Sequence, residues 1–189
     1  IGRTDVPSKD DNKENVLIRL SPYVYGLSDE VFGSDELMAL FTANDMRRQL
    51  FFGDSIYSTV FEKPLWRPWF EQNLGVTTPE MYLIAAECEA RVGSVGRAMN
   101  LLNKLRDNRI VGNTPLVAAN KDEALKLVLD ERRREFALTG LTRFIDLKRL
   151  NLDSRFAKNI THVVDGKVLT LPPNDPRWAL PIPARPLRF

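Results

Sequence analysis

The sequence predicts a mainly α-helical protein of paired helices, with irregular loops and a small β-hairpin near its C-terminus. Three observations carry this expectation. Residues 77–151 contain four consecutive stretches of helical periodicity, each with its own start or stop signal. Residues 131–150, reading ERRREFALTGLTRFIDLKRL, set acids and bases at helical spacing within an apolar face. Asp165-Gly166 stands between two β-prone runs, residues 161–164 and 167–171, as a tight two-residue turn requires.

The signals in the first quarter are short. Residues 16–20 read as a brief strand. Ser34 reads as an N-cap, with Asp35 and Glu36 in the first turn ahead of Leu37, Leu40 and Phe41. Asn44 or Asp45 caps a further short turn. Residues 49–52 and 57–61 are β-prone runs on either side of Gly53-Asp54-Ser55, which suggests a hairpin. Residues 64–70, with two prolines and two tryptophans, read as irregular.

The first long helix starts at Thr77, which forms a capping box with Glu80, or at Thr78 with Pro79 following. It runs to Val92 and stops at Gly93. Tyr82, Ala85, Ala86 and Glu89 share one face, and Cys88 among alanines reads as a small buried side chain. After the Gly93-Ser94-Val95-Gly96 turn, Ala98, Leu101, Leu102 and Leu105 form the next stripe, while Lys104, Arg106 and Asp107 face out. A short loop between two amphipathic helices predicts an antiparallel pair of tetratricopeptide-like character. Such a unit cannot bury its face alone. Beyond a break at residues 111–119, Asn120 caps a third helix with Glu123 three residues on. That helix ends at Gly140, and a fourth runs to about Asn151.

On the third helix Leu127, Val128, Glu131, Arg134, Glu135 and Leu138 follow a single stripe. Charges on such a stripe need partners, because an isolated buried ion is prohibitively costly. Arg143, Asp146 and Arg149 are candidate partners on the fourth helix. These residues, with Glu131, Arg134 and Glu135, are therefore expected to form a structural ion network joining the two helices. Arginine partners would also keep Glu131, Glu135 and Asp146 ionised and so poor general acids.

Composition narrows the function classes. A chain of 189 residues suits one domain or a large part of one. A net charge of +2 with interleaved signs argues against nucleic acid as a partner. One cysteine excludes a disulfide framework and a cysteine metal cluster. His162, the only histidine, lies in a β-prone run beside valines and reads as structural. With no metal-ligand spacing, nucleophile elbow or phosphate loop, no catalytic residue, metal or cofactor is expected. No apolar run approaches the ~18 residues of a membrane span. The chain opens Ile1-Gly2-Arg3 without methionine, which suggests a processed product or a piece of a longer polypeptide.

Taken together, PEMYLIAAECEARVGSVGRAMNLLNKLRDNR, EALKLVLDERRREFALTGLTRFIDLKRLN and ALPIP, in that order, resemble the C-terminal portion of the SusD/RagB family. These are surface glycan-binding lipoproteins of Bacteroidetes. The earlier SDELMALFTANDMRRQLFF is similar to the family's middle region. Thr139-Gly140 stands where the family commonly has Glu-Gly, and Leu141-Thr142-Arg143 replaces its usual spacer. Residues 184–189 lack its acidic and asparagine-proline continuation.

The resemblance implies tetratricopeptide-like helix pairs that support loop-rich ligand-binding parts. Residues 1–76 would be a loop-rich middle region, 77–151 the helical pairs, and 152–189 a hairpin and tail, all within the C-terminal part of a longer protein. It further implies a nutrient-binding protein with no reaction of its own. Such a protein hands oligosaccharide to a SusC-like TonB-dependent transporter at the outer-membrane surface. Its lipid anchor would lie on a segment absent from this chain. For such a role the residues of interest are aromatics with polar neighbours, since a sugar's C–H face lies on a ring while polar groups take its hydroxyls. Trp66, Arg67, Trp69 and Phe70 form the densest such cluster, and Trp178, beside Asn174, Asp175 and Arg177, is a second. The plainer alternative is that the tryptophans cover the core. Read from its first helix pair alone, the chain would instead be a tetratricopeptide-like scaffold for a protein or peptide partner.

Overall fold

The computed structural model describes residues 11–18, 33–53, 65–66, 75–137, 139 and 141–180. The chain divides into two compact units, Ile1–Gly140 and Leu141–Phe189. It is mainly helical, with one small antiparallel hairpin near the C-terminus.

In the first unit Ser34 caps α1 (Asp35–Met38) by accepting the Leu37 N–H. Asp45 caps α2 (Met46–Phe51) by accepting the Arg47 N–H. Residues 49–51, expected to be β-prone, are therefore helical: the cap upstream outweighs their strand propensity. Only β1 (Phe52–Gly53) is extended, and it pairs with β2 (Leu65–Trp66) inside the segment read as irregular. Residues 57–61 lie outside the described residues. Residues 16–18 form no strand; the Val16 and Leu17 N–H groups both donate to the Val76 carbonyl. Leu37, Phe41, Phe52 and Ala137 make a small apolar cluster, with Phe41 edge-on to Phe52.

Three longer helices, α3 (Thr78–Arg91), α4 (Val95–Arg106) and α5 (Lys121–Glu135), pack on one another. Thr77 is the N-cap of α3 but makes no side-chain cap bond, so neither expected capping arrangement forms; Pro79 holds the first turn. The buried face of α3 is Leu83, Ala86, Glu87 and Ala90, about one position round from the predicted face. Cys88 is consequently exposed, not buried. On α4, Ala98, Met99, Leu102, Leu105 and Arg106 are buried, so Arg106 points inward instead of outward. Asn120 caps α5 by accepting the Glu123 N–H, while Glu123 accepts the Ala119 N–H in return. α5 stops at Glu135, five residues before Gly140, and Leu138 lies outside the described residues.

Two backbone clamps tie the irregular parts of this unit to its helices. The Met46 N–H donates to the Arg109 carbonyl at 2.9 Å, and the Val111 N–H donates to the Asn44 carbonyl at 3.0 Å. Asn103 bonds both ways to Leu116, its Nδ2 donating to the carbonyl and its Oδ1 accepting the N–H, each at 2.8 Å.

The second unit contains α6 (Thr142–Leu150) and the hairpin of β3 (Ile160–Val164) and β4 (Lys167–Leu171). Asp165 and Gly166 have φ of 50° and 73°, the left-handed pair that a type I′ turn demands. Residues 161–170 are exposed, and His162 among them is no core histidine.

Candidate functional site

The most elaborate side-chain constellation in the first unit is an ion network around α5. Glu131 is fully buried, at 0% exposure. Its Oε2 accepts from Arg106 Nη1 at 2.9 Å and from Arg134 Nη2. Its Oε1 lies 2.6 Å from Arg47 Nη2, an ion-pair contact outside hydrogen-bond angles. Arg47 is itself held in a fork by Asp45, with Nε at 2.9 Å from Oδ1 and Nη2 at 2.7 Å from Oδ2. Its Nη1 donates to Glu135 Oε2 at 2.8 Å. Arg109 completes the set, donating to Glu135 at 2.8 Å and to Glu14 at 2.7 Å. Arg134 also donates to the Leu40 carbonyl at 2.9 Å.

Arg47, Arg106, Arg109 and Arg134 thus face Glu14, Asp45, Glu131 and Glu135, and the network is electrically neutral. Neutrality is what makes burial tolerable. Burial pushes the Glu131 carboxyl up, but Arg47, Arg134 and Arg106 more than offset this and hold it at about 2. Burial likewise lowers Arg47, yet Asp45, Glu131 and Glu135 raise it well above its usual value. A carboxyl held this low has no proton to donate at neutral pH. The arrangement is suited to fixing helices and unsuited to acid catalysis.

Arg134 on α5 is the expected partner of Glu131; the other partners of Glu131 and Glu135 come from the 45–47 turn, the end of α4 and the residues just after it, a source the sequence reading missed. Asp45, Arg47 and Arg106 carried a usable signal: two lie in an Asp-x-Arg cap, and Arg106 follows Leu102 at i+4. In the second unit, Asp146 is buried and accepts from Arg149 Nε at 2.8 Å. Arg143 stands in the first turn of α6.

The aromatic candidates fall differently. Trp66 belongs to β2 by its backbone, and its side chain, with Arg67 and Trp69, lies outside the described residues. Trp178 is 6% exposed; its indole N–H donates to the Pro172 carbonyl at 2.7 Å, and its ring lies 5.5 Å from that of Phe144. The ring is packed, as the core-covering alternative for the tryptophans expects. Its neighbour Arg177 pairs with Asp175, whose carboxyl it holds at about 2 through side-chain and backbone hydrogen bonds.

Among the described residues, no cluster of His, Cys, Asp and Glu is arranged to hold a metal, and no helix is long and apolar enough to cross a membrane. The family model described as the SusD family matches residues 78–185. That span holds the three packed helices, α6 and the hairpin. Among curated proteins, none matches this chain. The crystal structure of a SusD-like protein from Bacteroides fragilis is similar at 22% identity and a TM-score of 0.40. The likeness covers 59% of this chain and 24% of that one, so this chain spans about a quarter of that protein's length.

Proposed function

Because this chain belongs to the SusD family, we propose that it is part of a surface protein that captures oligosaccharide and passes it to a SusC-like TonB-dependent transporter in the outer membrane. The membership supports a nutrient-binding role in general. The observation that carries it is the family match across α3 to the hairpin. The ion network supports it chemically, since its carboxylates are committed to arginines and hold the scaffold. The protein on this reading binds without turnover. Attachment to the membrane would run through a lipid on a segment other than the residues described.

Affinity electrophoresis against soluble polysaccharides tests the binding step. At least one polysaccharide is expected to retard the chain. Trp66→Ala and Trp69→Ala are expected to weaken that retention roughly threefold to tenfold, the scale of losing an aromatic face. Unchanged retention in folded variants would end the role of these rings. Co-purification with a SusC-like transporter from outer-membrane extracts tests delivery. A second reading, a scaffold for a protein partner, rests on Met81 and Ile84, exposed apolar residues at helical spacing on α3, and on exposed Val92 at its C-cap. Retention of a soluble peptide in place of any glycan would favour it.

A further inference from the structure

A groove of about 190 Å³ opens between the start of α3 and the end of α4. Pro79, Leu105 and the Tyr82 ring supply its apolar lining; Thr78 and Asn108 supply polar groups; Glu14 and Lys104 supply charge. The volume lies below the roughly 300 Å³ at which sites for drug-sized ligands begin, so it suits one small ring and not a chain.

The charges identify the ring. Several cations on these helices are matched to acids, as in Arg91–Glu87, Arg97–Glu89, Lys126–Asp130 and Arg133–Glu36. Lys104 has no carboxylate partner among the described residues, and its ammonium rests 5.5 Å from the centre of the Tyr82 ring. The groove's own acid, Glu14, is neutralised by Arg109 at 2.7 Å. The lining with Arg109 therefore carries one surplus positive charge. The hydroxyls of Thr78 and Tyr82 have no hydrogen-bond partner among the described residues. Asn108 spends its N–H on the Lys104 carbonyl at 2.9 Å and keeps its amide oxygen as an acceptor.

We propose that this groove binds one uronic acid unit of an acidic glycan. The sugar carboxylate takes the Lys104 ammonium, its hydroxyls take Thr78 and Asn108, and its C–H face lies on the partly exposed Tyr82 ring above the buried floor of Pro79 and Leu105. A neutral sugar would offer that cation only hydroxyl oxygens, without the charge that makes a carboxylate the stronger acceptor. The proposal rests on the glycan-binding reading above and adds to it the charge class of the glycan.

Titration calorimetry of the whole chain with glucuronate, glucose and acetate tests it. Glucuronate is expected to bind, with glucose and acetate each about tenfold weaker or worse. Lys104→Met is expected to weaken glucuronate about tenfold and leave glucose unaltered, while Lys121→Met, on an exposed lysine of α5, changes neither. Equal binding of glucose and glucuronate overturns the acidic preference, and equal binding of acetate reduces the site to a simple anion contact. If polysaccharides retard the chain but glucuronate does not bind, the groove assignment fails alone. If neither is seen, the glycan reading fails with it.

Discussion

Glu131→Gln is expected to destabilise the first unit by about 3–5 kcal/mol, the cost of breaking a buried ion pair from one side. The variant keeps shape and loses only charge, so packing changes little. What remains is Arg47, Arg106 and Arg134, each buried, sharing a neutral amide. Against a typical total of about 5–15 kcal/mol, such a loss removes a large fraction of stability. Urea unfolding followed by circular dichroism would read it as a lower midpoint at unchanged slope. Glu80→Gln provides the contrast. Glu80 pairs with Arg132 at 3.5 Å from a partly exposed position, and its loss should cost less than about 1 kcal/mol. Equal costs for the two variants would remove Glu131 from the centre of the network.

The second large effect is acid sensitivity. Glu131 has an ordinary carboxyl value of 4.5 when unfolded and is held at about 2 when folded. The folded state therefore binds the proton less readily. Its contribution is fully present above about pH 4.5 and is lost as pH falls toward 2. The shift corresponds to something on the order of 3 kcal/mol. Melting temperature followed downward from pH 6 should hold until about pH 4.5 and then drop steeply, and Glu131→Gln should flatten that drop. A profile of equal steepness in the variant would assign acid lability to other carboxylates.

Much of the helical architecture was legible because its punctuation is chemical. Ser34, Asp45 and Asn120 each accept a backbone N–H at a helix start, and Asp165-Gly166 turns the hairpin. Periodicity did less well at fixing angle: a rotation of about one residue on α3 was enough to exchange Cys88 for Glu87 in the interior. Of the partners of Glu131, Arg134 was legible on its own helix, whereas Arg47 and Arg106 were not, for a simple physical reason. Helical spacing pairs a residue with its own helix, whereas Arg47 reaches Glu135 across a separation of 88 residues. Arg106 was read as solvent-facing because it is charged, although its spacing from Leu102 already placed it on the apolar stripe. The aromatic candidates had only clustering behind them, and clustering in sequence does not distinguish a displayed tryptophan from a packed one such as Trp178.

The reach of Arg47 also bears on where this protein can be cut. The family match begins at residue 78, which invites expression of the helices by themselves. Such a truncation would remove Glu14, Asp45 and Arg47 together while keeping Glu131, Glu135 and Arg109. Two acids would lose a shared guanidinium in a dry interior, and the apolar seat of Phe52 would open with it. The helical half is thus no autonomous module: the stretch ahead of it closes its interior as a stopper closes a flask.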